Sequence, residues 1–111
     1  MPLLPNADFA LIPIEKLRDY ALNPDPPIGK HKAAVFQAAL DLTADHAEEL
    51  GAAIADAILK HEAVQGLSDE FGRRYQVAFE WKRNEKKAII LTAWIIEPED
   101  FIPRLTTCYI K

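Results

Sequence analysis

The hydrophobic rhythm of this chain changes once, near Gly72, and that change restricts the folds open to it. Before Gly72 apolar residues return every three or four positions, the period of a helix; after it they alternate, the period of a strand. Tyr75, Val77, Phe79 and Trp81 alternate with Arg74, Gln76, Glu80 and Lys82, which predicts a strand with one covered and one polar face. Residues 88–96 are apolar on both sides apart from Thr92, the pattern of a central strand, and the charged run 83–87 joins the two as a hairpin. Pro98 and Pro103 keep residues 97–103 out of the ladder, residues 105–110 form a last strand, and residues 64–67 add a short edge strand.

The helical half is punctuated by prolines. Pro13 suits a first helical turn, and Ile14, Leu17 and Tyr20 follow at spacings of three, predicting a short helix over 13–21. Pro24, Pro26 and Pro27 make residues 22–29 a stiff loop. Ala33, Phe36 and Leu40 then share one stripe of a second helix over 30–40. Thr43 is a good N-cap for a third, with Asp45 and Glu48 at its positive end and Lys60 at its negative end. Its buried face is expected to be Ala47, Leu50, Ile54, Ala57 and Ile58, and its wet face Asp45, Glu49, Asp56 and Lys60. Residues 1–11 show neither period and are expected to form a loosely packed arm. Helices followed by strands predict an α+β fold, with three N-terminal helices packed on one face of a three- to four-stranded antiparallel sheet. At 111 residues that is one domain.

Composition removes several function classes. Half the residues are hydrophobic and 27% are charged, the balance of a folded globular chain. No apolar run is long enough to span a membrane and no signal segment leads the chain, so a cytoplasmic protein without a membrane partner is expected. Cys108 is the single cysteine, which excludes an internal disulfide; neither a metal centre nor a cofactor is expected. A net charge of -4 argues against coating nucleic acid by charge alone, so any such binding would need a local basic patch.

Candidate patches are Lys30, His31 and Lys32, then Arg73 and Arg74, residues 83–87, and Arg104. The first group begins a helix, where free N–H groups and the dipole attract phosphate. Two flanking ammonium groups favour a neutral His31, able to accept a proton near neutral pH. The plainer reading is three solvated residues on a surface helix. On the open sheet face, Arg74, Gln76, Thr92 and Trp94 are expected as neighbours, joined by either Arg104 and Thr106 or Thr107 and Tyr109, depending on register. Trp94 there would stack a base, or else fill the core. Arg104 would clamp a phosphate, or else pair with Glu97, Glu99 or Asp100. Cys108 reads as a core residue, and His46 and His61 as solvated ones.

The segments Leu22-Asn23-Pro24, Gly29-Lys30-His31-Lys32-Ala33, Thr92-Ala93-Trp94-Ile95 and Pro103-Arg104-Leu105-Thr106-Thr107-Cys108-Tyr109 resemble a family of small bacterial domains of unknown function. Its helices-then-sheet pattern is in turn similar to the metal-independent RNase toxins of the barnase, EndoU, colicin and RelE superfamily. In those toxins a helix residue and several strand residues converge on the open sheet face, and the RNA 2′-hydroxyl attacks the neighbouring phosphate. That resemblance implies His31, Lys32, Arg104 and Thr106 as catalytic residues, Lys30, Arg74, Trp94 and Tyr109 as substrate-binding ones, RNA as substrate and a cognate antitoxin as partner. The family loop commonly reads Asn-Pro-x-His-Pro-x-Gly, and Pro26 stands here in the histidine's place, so the resemblance implies a chain that is either inactive or reliant on His31 as the base. The alternative is a non-catalytic module that binds another protein through the open face or an edge strand.

Overall fold

The computed structural model describes residues 2–23 and 30–111, with the side chains of residues 30 and 31 excepted. The proline loop expected over 22–29 therefore lies, beyond Asn23, outside the described residues. Two helices, α1 (Lys30–Leu40) and α2 (Ala47–Ala57), precede four strands: β1 (Ala63–Asp69), β2 (Gly72–Arg83), β3 (Lys86–Ile96) and β4 (Arg104–Ile110). The strands pair antiparallel in the order β1-β2-β3-β4, a simple meander, so the α+β class and the antiparallel sheet follow the expectation. The edge strand expected over 64–67 is a full strand.

The α1 stripe is buried as its spacing predicts, with Phe36 and Leu40 fully enclosed. On α2, Ala47, Leu50, Ile54, Ala57 and Ile58 are buried, and Asp56 meets Lys60 at 3.0 Å. A 3-10 turn, Ala44–His46, leads into α2; there the Thr43 N–H donates to His46 Nδ1 at 3.0 Å. His46 is thus part of a helix cap, with its remaining proton on Nε2, rather than merely solvated. The expected helix over 13–21 is wound more widely as a π-helix, Lys16–Ala21, in which the Leu22 N–H reaches the Leu17 carbonyl at 2.8 Å. The wider turn brings Leu17, Ala21 and Leu22 inward together.

Register assigns the sheet faces. Tyr75, Val77, Phe79 and Trp81 stand opposite Trp94, Thr92, Ile90 and Ala88. Tyr75, Val77, Phe79, Ile90 and Trp94 join Leu17, Phe36, Leu40, Leu50 and Ile54 in one core cluster. Each large side chain so enclosed is worth roughly 1.5–3 kcal/mol. The placement of Thr92 and Trp94 on the open face is therefore corrected: both lie on the buried face, Thr92 0% and Trp94 1% exposed. They form a closed chain of hydrogen bonds, Trp94 Nε1 to Thr92 Oγ1 and Thr92 Oγ1 to the Val77 carbonyl, each 2.8 Å. The opposite face carries Val64, Gln76, Ala93 and Thr107 in one row across the four strands, and Arg74, Ile95 and Arg104 in the next.

Three features hold the ends of this sheet. Asn84 and Glu85 have φ of 51° and 65°, the left-handed pair of a tight two-residue hairpin turn. Beside it, Arg83 donates to both Glu49 oxygens (2.6 and 3.1 Å) and to the Leu40 and Asp41 carbonyls (2.7 and 3.1 Å), while Lys86 bonds Asp41 and the Ala38 carbonyl. These cations satisfy carbonyls that the C-terminus of α1 leaves open. At the far end, Gly72 has φ of 135°, and a Cβ there would collide with the Ile96 carbonyl oxygen.

The N-terminal arm, expected to pack loosely, is anchored at separate points. Leu4 is 2% exposed, the Pro2 carbonyl accepts from the Ala63 N–H, and Leu11 bridges β4 at Arg104. Its prolines rule out a regular element without ruling out docking.

Candidate functional site

The first cluster joins α1 to β4. Lys32 Nζ donates to Thr107 Oγ1 at 2.6 Å and stands 5.8 Å from the centroid of the Tyr109 ring. A cation, a hydroxyl and an exposed aromatic phenol are thereby brought together by a helix and a strand far apart in sequence. Thr107 and Tyr109 pair with Ala93 and Leu91, whose parity is that of the face opposite the core. Lys32, Val35, Tyr109 and Ile110 line a shallow, mostly apolar depression of about 250 Å³.

The second cluster occupies the far end of the same face. The ladder shifts register between Ala93 and Trp94, so β4 carries one extra residue there, Thr106, whose hydroxyl donates to the Ala93 carbonyl at 3.1 Å. This bulge changes the parity of β4. Arg104 consequently joins Thr107 and Tyr109 on the open face, and Thr106 lines a depression on it with Arg74, Gln76 and Ala93. The two expected sets of β4 residues are both present, because the strand is not regular.

Arg74 Nη1 is buried and lies 2.9 Å from Asp69 Oδ2, an ion pair that fixes the guanidinium at this end of the face. The Arg74 guanidinium, and then the Phe71 N–H, hold the Asp69 carboxyl below its ordinary range. Arg104 is half exposed, and its nearest acid is Glu97 at 3.9 Å, a loose contact that leaves the guanidinium accessible. Val64, Leu67, Arg74, Gln76, Ala93 and Thr106 bound a depression of about 250 Å³. Its rim combines a guanidinium, an amide and a hydroxyl with two exposed aliphatic side chains.

Of the residues expected from sequence, Lys32 and Tyr109 lie in the first cluster and Arg74, Arg104 and Thr106 in the second, whereas Trp94, 1% exposed, borders the second depression with its side chain turned into the core cluster. Lys30 and His31 begin α1, two residues and one residue before Lys32; their side chains lie outside the described residues. Val64 and Leu67 were not foreseen as part of a site, since pairing with β2 alone brings them beside Gln76 and Arg74. Cys108 is buried on the core face, and burial pushes its thiol up to about 12, so it is inert as a nucleophile at neutral pH. His61 is exposed, its ring 6.2 Å from that of Phe79. Among the described residues no three His, Cys, Asp or Glu side chains gather as a metal site, and no helix is long and apolar enough to cross a membrane.

A family model described as a domain of unknown function, DUF6883, matches residues 3–111. The chain belongs to that family. The DUF6883 match spans α1 through β4, and with them both clusters on the open face. No curated protein and no solved structure matches the chain.

Proposed function

We propose that this DUF6883 domain is a metal-independent, RNase-like module that cleaves RNA along its open sheet face. The observation that carries the reading is the meeting of Lys32 from α1 with Thr107 and Tyr109 from β4. A helix cation placed on strand hydroxyls and an accessible ring is what such a site requires, and Arg104 stands on the same face. The helical layer supports this reading by sharing a core cluster with the other sheet face. In the proposed reaction His31 takes the proton of a ribose 2′-hydroxyl, the P–O2′ bond forms as the P–O5′ bond breaks, and the leaving oxygen takes a proton from solvent. Lys32 and Arg104 balance the charge that develops on the phosphate, and Thr106, its hydroxyl proton held by the Ala93 carbonyl, lies beside them as an acceptor. Tyr109 offers a ring on which a base stacks.

Purified protein incubated with total RNA tests the proposal. Cleavage is expected, reduced about 10²-fold or more in His31→Ala and by a similar order in Lys32→Met. Both variants should keep the far-UV spectrum of the parent. Intact RNA with the folded parent protein overturns the reading. A second reading, a protein-binding module, draws on β1, an edge strand whose Val64 and Leu67 are 64% and 66% exposed beside Phe71 at 64%. Intact RNA together with a stoichiometric protein partner that Val64→Lys releases would favour it.

A further inference from the structure

The depression between β1 and β4 has more definition than a phosphate track needs. Phosphate binding asks only for cations, yet here one cation shares its rim with an amide and two aliphatic walls. Gln76 has an exposed side chain on the open face, offering a donor and an acceptor a fixed distance apart. Arg74 presents a guanidinium held in place by Asp69, whose carboxylate Nη1 meets at 2.9 Å, while 39% of the side chain stays exposed. Ala93 supplies a small, flat floor, and Val64 and Leu67 stand exposed above it. Both are large apolar side chains that water solvates poorly.

We infer that this depression is a base-recognition subsite that takes one unpaired guanine of an RNA strand. A volume of about 250 Å³ suits one fused ring system and falls below the range of cavities that hold larger ligands. Guanine is the base whose edge carries two adjacent acceptors, O6 and N7, the pair that an arginine fork matches. Its N1–H and N2–H groups are donors, which the Gln76 carbonyl oxygen and the Thr106 hydroxyl can accept. Adenine offers arginine one acceptor beside a donor, so it matches less well. The inference rests on the RNA reading above and adds to it a preferred base. Tyr109 lies along β4 from Thr106, with Lys32 of α1 beside it, so a strand seated by its guanine would pass its backbone beside them.

The test uses the full chain, isotopically labelled, titrated with the four nucleoside 5′-monophosphates, none of which can be cleaved. Guanylate is expected to shift the amide signals of Val64, Gln76, Ala93 and Thr106, and to bind about tenfold or more tightly than the other three. Gln76→Leu, which keeps the volume on an exposed strand position, should weaken guanylate by about tenfold while leaving the remaining spectrum in place. Gly66→Val offers a second variant. A Cβ at Gly66 meets only the Arg74 carbonyl oxygen at 3.8 Å and Arg74 Cβ at 4.0 Å, so the fold accommodates it while the depression is narrowed. Equal shifts from all four nucleotides, or shifts confined to residues around Tyr109, overturn the inference. RNA cleavage with these amides unmoved removes the subsite and keeps the nuclease; guanylate binding without cleavage does the reverse.

Discussion

The two ends of the β2–β3 hairpin use the same kinds of side chain for opposite purposes. At the turn, Arg83 is 10% exposed in its side chain and makes four hydrogen bonds, two to Glu49 and two to carbonyls at the end of α1. At the open end, Arg74 has one ion pair, to Asp69 at 2.9 Å, with its side chain 39% exposed, and Arg104 stands half exposed at 3.9 Å from Glu97. One arginine is committed to joining the helices to the sheet, and two are left with donors to spare. Charge type alone therefore says little about role; the number of acceptors already in place decides it.

Breaking the committed end should have the largest effect. Arg83→Ala leaves two carbonyls and a carboxylate without their donor, and is expected to lower the unfolding free energy by about 2–4 kcal/mol in urea titrations. A loss as small as that of Arg104→Ala would remove the contrast. Next comes the layer beneath the open face, where Thr92→Val keeps the shape but strands the Trp94 N–H, for an expected loss of about 1–2 kcal/mol. Near-UV circular dichroism should report the changed indole environment alongside it.

Acid sharpens the comparison further. The Arg83 guanidinium, through its hydrogen bonds and then its charge, holds the Glu49 carboxyl below the usual range. A carboxyl depressed by folding contributes stability that is complete above its unfolded pKa, about 4.3, and is lost as pH falls through the lower folded value. Glu49→Gln should therefore flatten the fall of the urea midpoint below about pH 4.3 while changing the slope little above it. The smallest effect is expected at Arg104. Arg104→Ala should stay within about 0.5 kcal/mol of the parent in stability while reducing RNA cleavage, a separation of the two readouts that Arg83→Ala cannot produce.

How much of this was legible beforehand depended on periodicity. Ala33, Phe36 and Leu40 announced α1, and the alternation from Tyr75 to Trp81 announced β2 with its correct buried face. β3 was not legible in the same way, because residues 88–96 are apolar on both sides and a strand without a polar face carries no mark of its parity. Thr92 is misplaced by that reading, whereas Trp94, which reads either as a base-stacking ring or as core, takes its core alternative. Along β4 the difficulty was different. Arg104 with Thr106, or Thr107 with Tyr109, were alternatives only for a regular strand, and nothing in Pro103-Arg104-Leu105-Thr106-Thr107 signals an extra residue. The site was thus visible as a set of residue types, whereas its assembly depended on a ladder irregularity and on Lys32 reaching a strand 75 positions away.

Gly72 sets the terms on which this open end can change. Its backbone adopts an angle closed to other residues, and any side chain would wedge against Ile96 and prise β2 from β3 beside Arg74. Side chains around the depression are free to be exchanged, and with them whatever the surface prefers to hold, so long as this one position stays bare. A library randomised at Gln76, Arg74 and Thr106 should yield folded members in abundance, and one randomised at Gly72 almost none but the parent.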